Sequence, residues 1–575
     1  MKRYWKYIRP YIQYYILGPC FMMMEVVGDV LLPYMLAKII NQGIAERNVV
    51  YIIKIGVIMG FIAVIMAVGG VLGAWFASKA AMNFGADLRM DLFEKIQQFS
   101  FQNIDNFSTG SLITRLTNDI TQIQNMIMMT LRMCLRSPGI LIGAMVMAFV
   151  ISPKLAAIFI IVLPVLAVLI VVIMRRAFPQ FRTLQEKLDA LNSCIQEGLV
   201  GIRLIKSFVR GDYEEMRFEK RNQQLKEANL TAMKTMLLYT PLMTLALNIT
   251  TVVVVWSGGN MIVAGNMQVG DLTAFTNYIV QIMSSLTMLS IAFLNWARAI
   301  ASFRRVGEVL DEKIDLTDEN AKHKDRAVCE GSVEFQNVSF RYYKNRPEWV
   351  IENISFKLEA GKTLGIIGST GSGKSTLVSM IPRLYDTDEG TVLVDGINVR
   401  DYGLKPLREG IGMVLQNNTL FSGSITENLK WGDEHADEKA VRKAAQNAQA
   451  AGFIDSFKDG YRTRLEQSGN NVSGGQKQRL CIARALLKCP KILILDDSTS
   501  AVDTATERAI REALHSEYKD MTKIIIAQRI RSVMDADEIL VLDNGKTAGF
   551  GTHEQLLADC PVYREIYDVQ NGREE

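Results

Sequence analysis

The sequence predicts two domains of different class. An α-helical transmembrane domain of six spans covers 1–300, a charged linker covers 301–330, and an α/β domain of the P-loop type covers 331–575. Three observations predict this. Long apolar stretches are confined to the first half of the 575 residues, a length beyond one ordinary domain. GSTGSGKST, from Gly368 to Thr376, follows a short apolar run and precedes an apolar helical pattern. A second apolar run, KILIL, ends on Asp496 and Asp497.

Crossing a bilayer takes roughly 20 apolar residues in a helix. Six stretches qualify, near 15–40, 51–77, 127–151, 154–175, 232–257 and 272–296. Membrane lipid is therefore the first partner. Lys and Arg are sparse at 41–50, 151–153 and 258–271 but frequent in 78–126, in 175–231, at the start and after Arg298. The positive-inside rule then puts both chain ends in the cytosol. The opening MKRYWKYIRPY lacks a cleavage-site pattern and is not read as a signal peptide. Tyr4, Trp5, Ile8, Tyr11 and Ile12 share one helical face, which suits a segment lying at the headgroups or a simple flank of the first span. The net charge of +4 is small against 64 basic and 60 acidic residues and does not suggest a nucleic-acid partner. Seven scattered cysteines without a CxxC pair suggest neither a disulfide framework nor a zinc site.

The inside loops are long, polar and helical in pattern. Folded as paired arms of about 25 residues, they would reach roughly 35–40 Å past the membrane. Their tips, near Gln102–Phe107 and Gly211–Glu215, are expected to contact the soluble domain. Within the first span, Glu25 and Asp29 lie one turn apart. Intramembrane carboxylates point to function by default. They either face a cavity and attract a cationic small-molecule substrate, or hydrogen-bond to neighbouring helices, or sit near a membrane interface. Clustered methionines, Met22 to Met24 among them, suit an adaptable apolar cavity as well as ordinary packing.

In the soluble half, SVEFQNVSFRY alternates with period two and reads as a strand. TLGIIG, the glycine-rich loop and KSTLVSMIPRL then form strand, GxxxxGK[ST] and helix in order. That context turns a motif into a phosphate site. Gly368, Gly371 and Gly373, with Ser369, Thr370 and Ser372 between them, let backbone N–H groups close on phosphates, and the helix N-terminus favours negative charge. Lys374 would reach the β- and γ-phosphates of ATP, and Ser375, beside Thr376, would ligate Mg²⁺. Asp496 is a direct or second-sphere partner for the same Mg²⁺.

NVSGGQKQRLCIARALL begins at Asn471, about 100 residues after the loop and about 20 before the acidic strand. Alone, SGGQ could be a surface turn; at this spacing it is specific. With these motifs the chain resembles an ATP-binding cassette transporter subunit, an exporter half-transporter with the membrane half first. The resemblance runs to the closing GTHEQLL at 551–557. It implies a six-helix domain with long intracellular arms, followed by an α/β P-loop cassette. It also implies roles by position. Tyr342 in VSFRY would stack on adenine. Gln416 would sense Mg²⁺ and face the membrane half. Ser473, Gly474, Gly475 and Gln476 would grip the γ-phosphate of ATP held by the opposite subunit, and Asp503 would lie in the loop that crosses the dimer interface.

Three positions depart from the family pattern. Asp497 stands where a glutamate positions the attacking water, and Gln528 where a histidine contacts the γ-phosphate. Neither His515 nor His553 is placed to compensate. TRLEQSG at 463–469 departs from TxVGExG, with Gln467 at the acidic position. The gripping elements are intact while the hydrolytic ones are altered, whereas drift in an active homodimer would scatter the damage. The resemblance therefore implies the degenerate-site half of a heterodimeric bacterial multidrug exporter in the cell membrane. Its partner would be a second half-transporter with the catalytic Glu and His intact. A homodimeric lipid flippase and a nucleotide-sensing regulator that moves nothing are the alternatives.

Overall fold

Inside lipid every backbone polar group needs an internal partner, so apolar sequence of this length folds as helix. The computed structural model describes residues 2–344, 347–498, 500–570 and 572. Among them, five helical stretches are long and apolar enough to cross a membrane: Trp5–Ile44, Val49–Gln97, Thr109–Ile151, Pro153–Val200 and Gly211–Val263. The sixth expected span lies in the helix Val269–Asp311. There the side chains of 290, 291, 293–295, 297 and 298 are outside the described residues.

These helices outrun a bilayer. Val49–Gln97 has 49 residues and Pro153–Val200 has 48. At 1.5 Å each they span roughly 70 Å, about twice the hydrocarbon core. Pro153–Val200 packs along Gly211–Leu237, with Arg217 paired to Glu197 at 2.5 Å. At the start of the chain the buried side chain is Tyr7, outside the expected apolar face, while Trp5 is half exposed. Tyr7 packs edge-on against Phe84 and its hydroxyl donates to Asp91 at 2.9 Å. Protein, as well as any headgroup region, therefore holds this segment.

The chain divides into two units, residues 1–97 with 109–311 and residues 98–108 with 312–575. The linker expected from 301 begins as helix, because the last long helix continues to Asp311. Val306 and Val309 are fully buried there, and Asp119 accepts hydrogen bonds from Ser302 and Arg305, each at 2.8 Å. Ser302, Arg305, Val306 and Val309 share one helical stripe, so the same face gains both burial and a carboxylate partner by staying helical.

The first loop tip groups with the nucleotide-binding unit. Ser100 caps the short helix Phe101–Asp105, Asn103 Nδ2 donates to the Lys313 carbonyl at 2.9 Å, and the Tyr385 hydroxyl donates to Asp105 at 3.0 Å. The second tip belongs to the membrane unit, where Leu204, Phe208 and Tyr213 line an open groove.

In the second unit, β1 (Val333–Phe340), β2 (Ile351–Leu358), β4 (Glu389–Val394) and β5 (Ile397–Asn398) form an antiparallel sheet in the order β2-β1-β4-β5. A six-stranded sheet contains β3 (Thr363–Gly368), β6 (Ile411–Val414), β7 (Ile492–Asp496), β8 (Thr522–Ile526), β9 (Glu538–Asp543) and β10 (Lys546–Gly551). Its order is β10-β9-β3-β8-β7-β6, parallel throughout except for the β10 edge. Strands covered on both faces read as unbroken apolar runs, as TLGII and ILIL do.

Candidate active site

Ligands of open parallel sheets sit beyond the carboxyl ends of the strands. Here β3, β8, β7 and β6 are consecutive neighbours, and each delivers a site group at that end. Gly368 ends β3, Asp496 ends β7 with Asp497 after it, Gln528 follows β8 by two residues, and Gln416 follows β6 by two. All of these except Gly368 line a cleft of about 210 Å³, together with Thr370, Gly371, Gly373, Lys374, Ser375, Thr376, Val350 and Ile526.

The loop's shape depends on two glycines. Gly371 has φ 87° and Gly373 has φ 90°. A Cβ on Gly373 would lie 2.6 Å from Ile351 Cγ2 and 2.9 Å from the Val350 carbonyl oxygen. Gly373→Ala is therefore expected to weaken ATP binding about tenfold in a direct titration, from strain and clash together.

Lys374 Nζ donates to the carbonyls of Gly368 at 2.8 Å and Ser369 at 2.7 Å, and more weakly to Ser372 Oγ at 3.4 Å. Burial lowers its pKa, opposed by the nearby Asp497 and Asp496 carboxylates. The Ser375 hydroxyl donates to Asp496 Oδ1 at 2.9 Å. Burial raises the Asp496 pKa against that hydrogen bond. Ser375, Asp496 and the Gln416 amide carbonyl supply the oxygen donors that Mg²⁺ prefers, so these residues fit that ion.

The two altered positions meet. Gln528 Nε2 donates to Asp497 Oδ2 at 2.8 Å, and Asp497 has φ 46°, a left-handed backbone that aspartate tolerates. Burial pushes the Asp497 carboxyl above its ordinary range, while Gln528, Lys374 and Gln416 pull it back.

Tyr342 does not line the cleft. Its ring packs edge-on against Phe340 and Tyr385, and its hydroxyl lies 2.9 Å from Thr376 Oγ1. Ser473, Gly474, Gly475 and Gln476 also lie away from it. Ser473 caps the helix Gly474–Leu487: its hydroxyl accepts from the Gln476 amide at 3.3 Å, and Gln476 Oε1 accepts from the Ser473 amide at 2.9 Å. A Cβ on Gly475 would come within 2.7 Å of the Ala501 carbonyl oxygen. Buried Gln478, not anticipated from sequence, ties this helix to the loop after Asp497. It donates to Ser500 Oγ at 3.3 Å and accepts from the Ala501 amide at 3.0 Å, while Thr499 between lies outside the described residues. No spacing signal marks one glutamine of QKQRL as buried. Asp503 caps the next helix through the Thr506 amide at 3.0 Å, which lowers its pKa. Gln467 opens a short 3-10 turn in which Ser468 has φ 58°.

Glu25 and Asp29 are not free carboxylates. Arg136 Nη2 lies 2.8 Å from Glu25 Oε1 and 3.4 Å from Asp29 Oδ2. Arg136 thus joins both carboxylates to a neighbouring helix, the kind of contact that the second alternative expects. Arg136 lies within the expected 127–151 span, so a basic residue among apolar ones was the signal available for it.

Comparison with known proteins agrees with this architecture. Residues 15–286 match the ABC transporter transmembrane region and residues 351–500 the ABC transporter family proper. The chain is 39% identical over 574 residues to YfiB of Bacillus subtilis (strain 168), an uncharacterised ABC transporter ATP-binding protein, covering 100% of this chain and 99% of that one. It is 36% identical over 570 residues to Rv1273c of Mycobacterium tuberculosis (strain ATCC 25618 / H37Rv), likewise uncharacterised, covering 98% and 97%. YgaD of B. subtilis, provisionally named a multidrug export ATP-binding/permease protein, is 33% identical over 584 residues, covering 99% of each. The fold is that of a bacterial Atm1-family ABC exporter solved with ATP bound, at TM-score 0.81, 24% identity and 98% coverage of both chains.

Proposed function

The chain belongs to the ABC transporter family, as an ATPase-coupled exporter of the membrane, and on that premise we propose that it is one half of a two-chain pump whose own site holds ATP and hydrolyses it slowly. One observation carries this reading. Asp497 and Gln528 are bonded to each other at 2.8 Å, beside a phosphate loop that is otherwise complete. A carboxylate shortened by one methylene and engaged by an amide is poorly set to orient water. An amide in place of imidazole brings no positive charge to the γ-phosphate.

In this reading Lys374 exchanges the loop carbonyls for phosphate oxygens, and Tyr342 swings to the adenine. Ser375, Gln416 and Asp496 would hold Mg²⁺, which when bound would neutralise phosphate charge. Ser473 to Gln476 are lent to the second site, completed by a partner half-transporter with its Glu and His intact, and Asp503 lies where the chains cross. ATP binding closes the pair, and the Gln98–Ser108 segment conveys closure to the spans. Both chain ends are cytoplasmic in a bacterial cell membrane. The cargo in this reading is a small amphiphilic compound of multidrug type; the relative YgaD is named for multidrug export and for no chemical class.

The test is phosphate release by the purified full chain, alone and co-purified with a partner half-transporter. The pair is expected to turn over at least about tenfold faster. Equal, robust turnover by the chain alone would overturn the two-chain reading.

A further inference from the structure

We propose that Gln570 is a positioning residue for the loop carrying Gln528, and that it thereby sets how long ATP is held in this chain's site. β8 ends at Ile526 and the Ala527 amide still donates to the Ile366 carbonyl of β3 at 3.2 Å, so the chain leaves the ladder from Gln528 onward. A 3-10 turn begins at Ile530, and the first amides of a helical turn need acceptors from outside it. Gln570, the last residue of the helix Pro561–Gln570, supplies both missing partners. Its Nε2 donates to the Gln528 carbonyl at 2.8 Å and its Oε1 accepts from the Ile530 amide at 2.8 Å. One side-chain amide thus pairs with the main chain of 528 and 530 as a neighbouring strand would.

Gln528 is held at both ends, its carbonyl by Gln570 and its side chain by Asp497 at 2.8 Å. The anchor is firm. Tyr563 of the same helix is fully buried, with its hydroxyl 2.7 Å from His553 Nδ1, and Ile566 packs against the cluster containing Ile530 and Val533. Without Gln570 the 528 peptide loses its outer restraint. The amide facing the γ-phosphate then shifts, and misplacement of a fraction of an ångström is enough to weaken such contacts. Gln570 does not line the cleft, so it acts only through this loop. The inference rests on reading Gln528 as the γ-phosphate contact and is indifferent to which chain completes the dimer.

The test uses the full-length chain in lipid, comparing wild type with Gln570→Ala, Gln570→Glu and, as a control, Val569→Ala at an exposed neighbour. Gln570→Glu keeps the acceptor for Ile530 but loses the donor to the Gln528 carbonyl. Release of pre-bound radiolabelled ATP is expected to quicken about fivefold in both Gln570 variants, the worth of one net hydrogen bond. ADP affinity and the melting temperature should stay unchanged, because ADP lacks the phosphate that Gln528 faces. Hydrogen exchange at the Ile530 amide should rise in Gln570→Ala but not in Gln570→Glu. Wild-type ATP release in either Gln570 variant, or an equal loss of ADP affinity, would overturn the proposal. Robust turnover by the unaltered chain alone overturns the two-chain reading and leaves this one standing.

Discussion

Replacing Asp497 by glutamate and Gln528 by histidine in the same chain is expected to raise that chain's own ATP turnover by roughly 100-fold, because a displacement of about 1 Å in a reacting group costs on that order. The added methylene carries the carboxylate outward from the end of β7, away from the present contact with Gln528 at 2.8 Å. Histidine at 528 adds a group able to carry charge toward the γ-phosphate. Because the two side chains touch, their effects should couple: each single variant should recover much less than the pair. The left-handed backbone at Asp497, φ 46°, will oppose the glutamate somewhat, since aspartate tolerates that region better. Phosphate release by the single and double variants decides the matter. A double variant no faster than the unaltered chain would show that these positions do not limit hydrolysis.

Arg136→Ala is expected to destabilise the membrane domain by about 3 kcal/mol, the scale of an unpaired charge at the centre of a span. Arg136 bridges Glu25 at 2.8 Å and Asp29 at 3.4 Å, so its loss strands two carboxylates at once. Gln281 Nε2 donates to the Asp29 carbonyl at 2.7 Å, but its Oε1 is buried without a partner and offers nothing to a carboxylate. The checks are the melting temperature in lipid and the yield of monodisperse protein. Glu25→Gln with Asp29→Asn in the Arg136→Ala background should recover most of the loss, because neutral amides do not need the guanidinium. Unchanged stability in Arg136→Ala would show that the bridge does not hold the helices.

How far the sequence reached differs between the halves for a physical reason. GSTGSGKST and its flanking strand and helix were legible because phosphate binding needs consecutive residues: glycines for the turn, lysine and serine just after it, all within one stretch. Five of the six expected spans, those that are long and apolar enough among the described residues, were legible because lipid enforces length and apolarity locally, residue by residue. Hidden instead were relations across the chain. Arg136 was overlooked beside Glu25 and Asp29 because a pair between helices leaves no period in either one. The linker expected from 301 proved partly helical because Ser302 and Arg305 find Asp119, nearly two hundred residues earlier.

By itself, then, the sequence determined the two domain classes, the phosphate loop, and the identity of Asp497 and Gln528 as departures. Tertiary structure alone decided that these two departures bond to each other, that Tyr342 turns to Thr376, and that Gln570 fastens the loop behind Gln528. Parallel pairing of β8 with β7 brings Gln528 beside Asp497, and the other two contacts join a strand end to a helix and a helix end to a loop; no local spacing encodes which element will lie beside which.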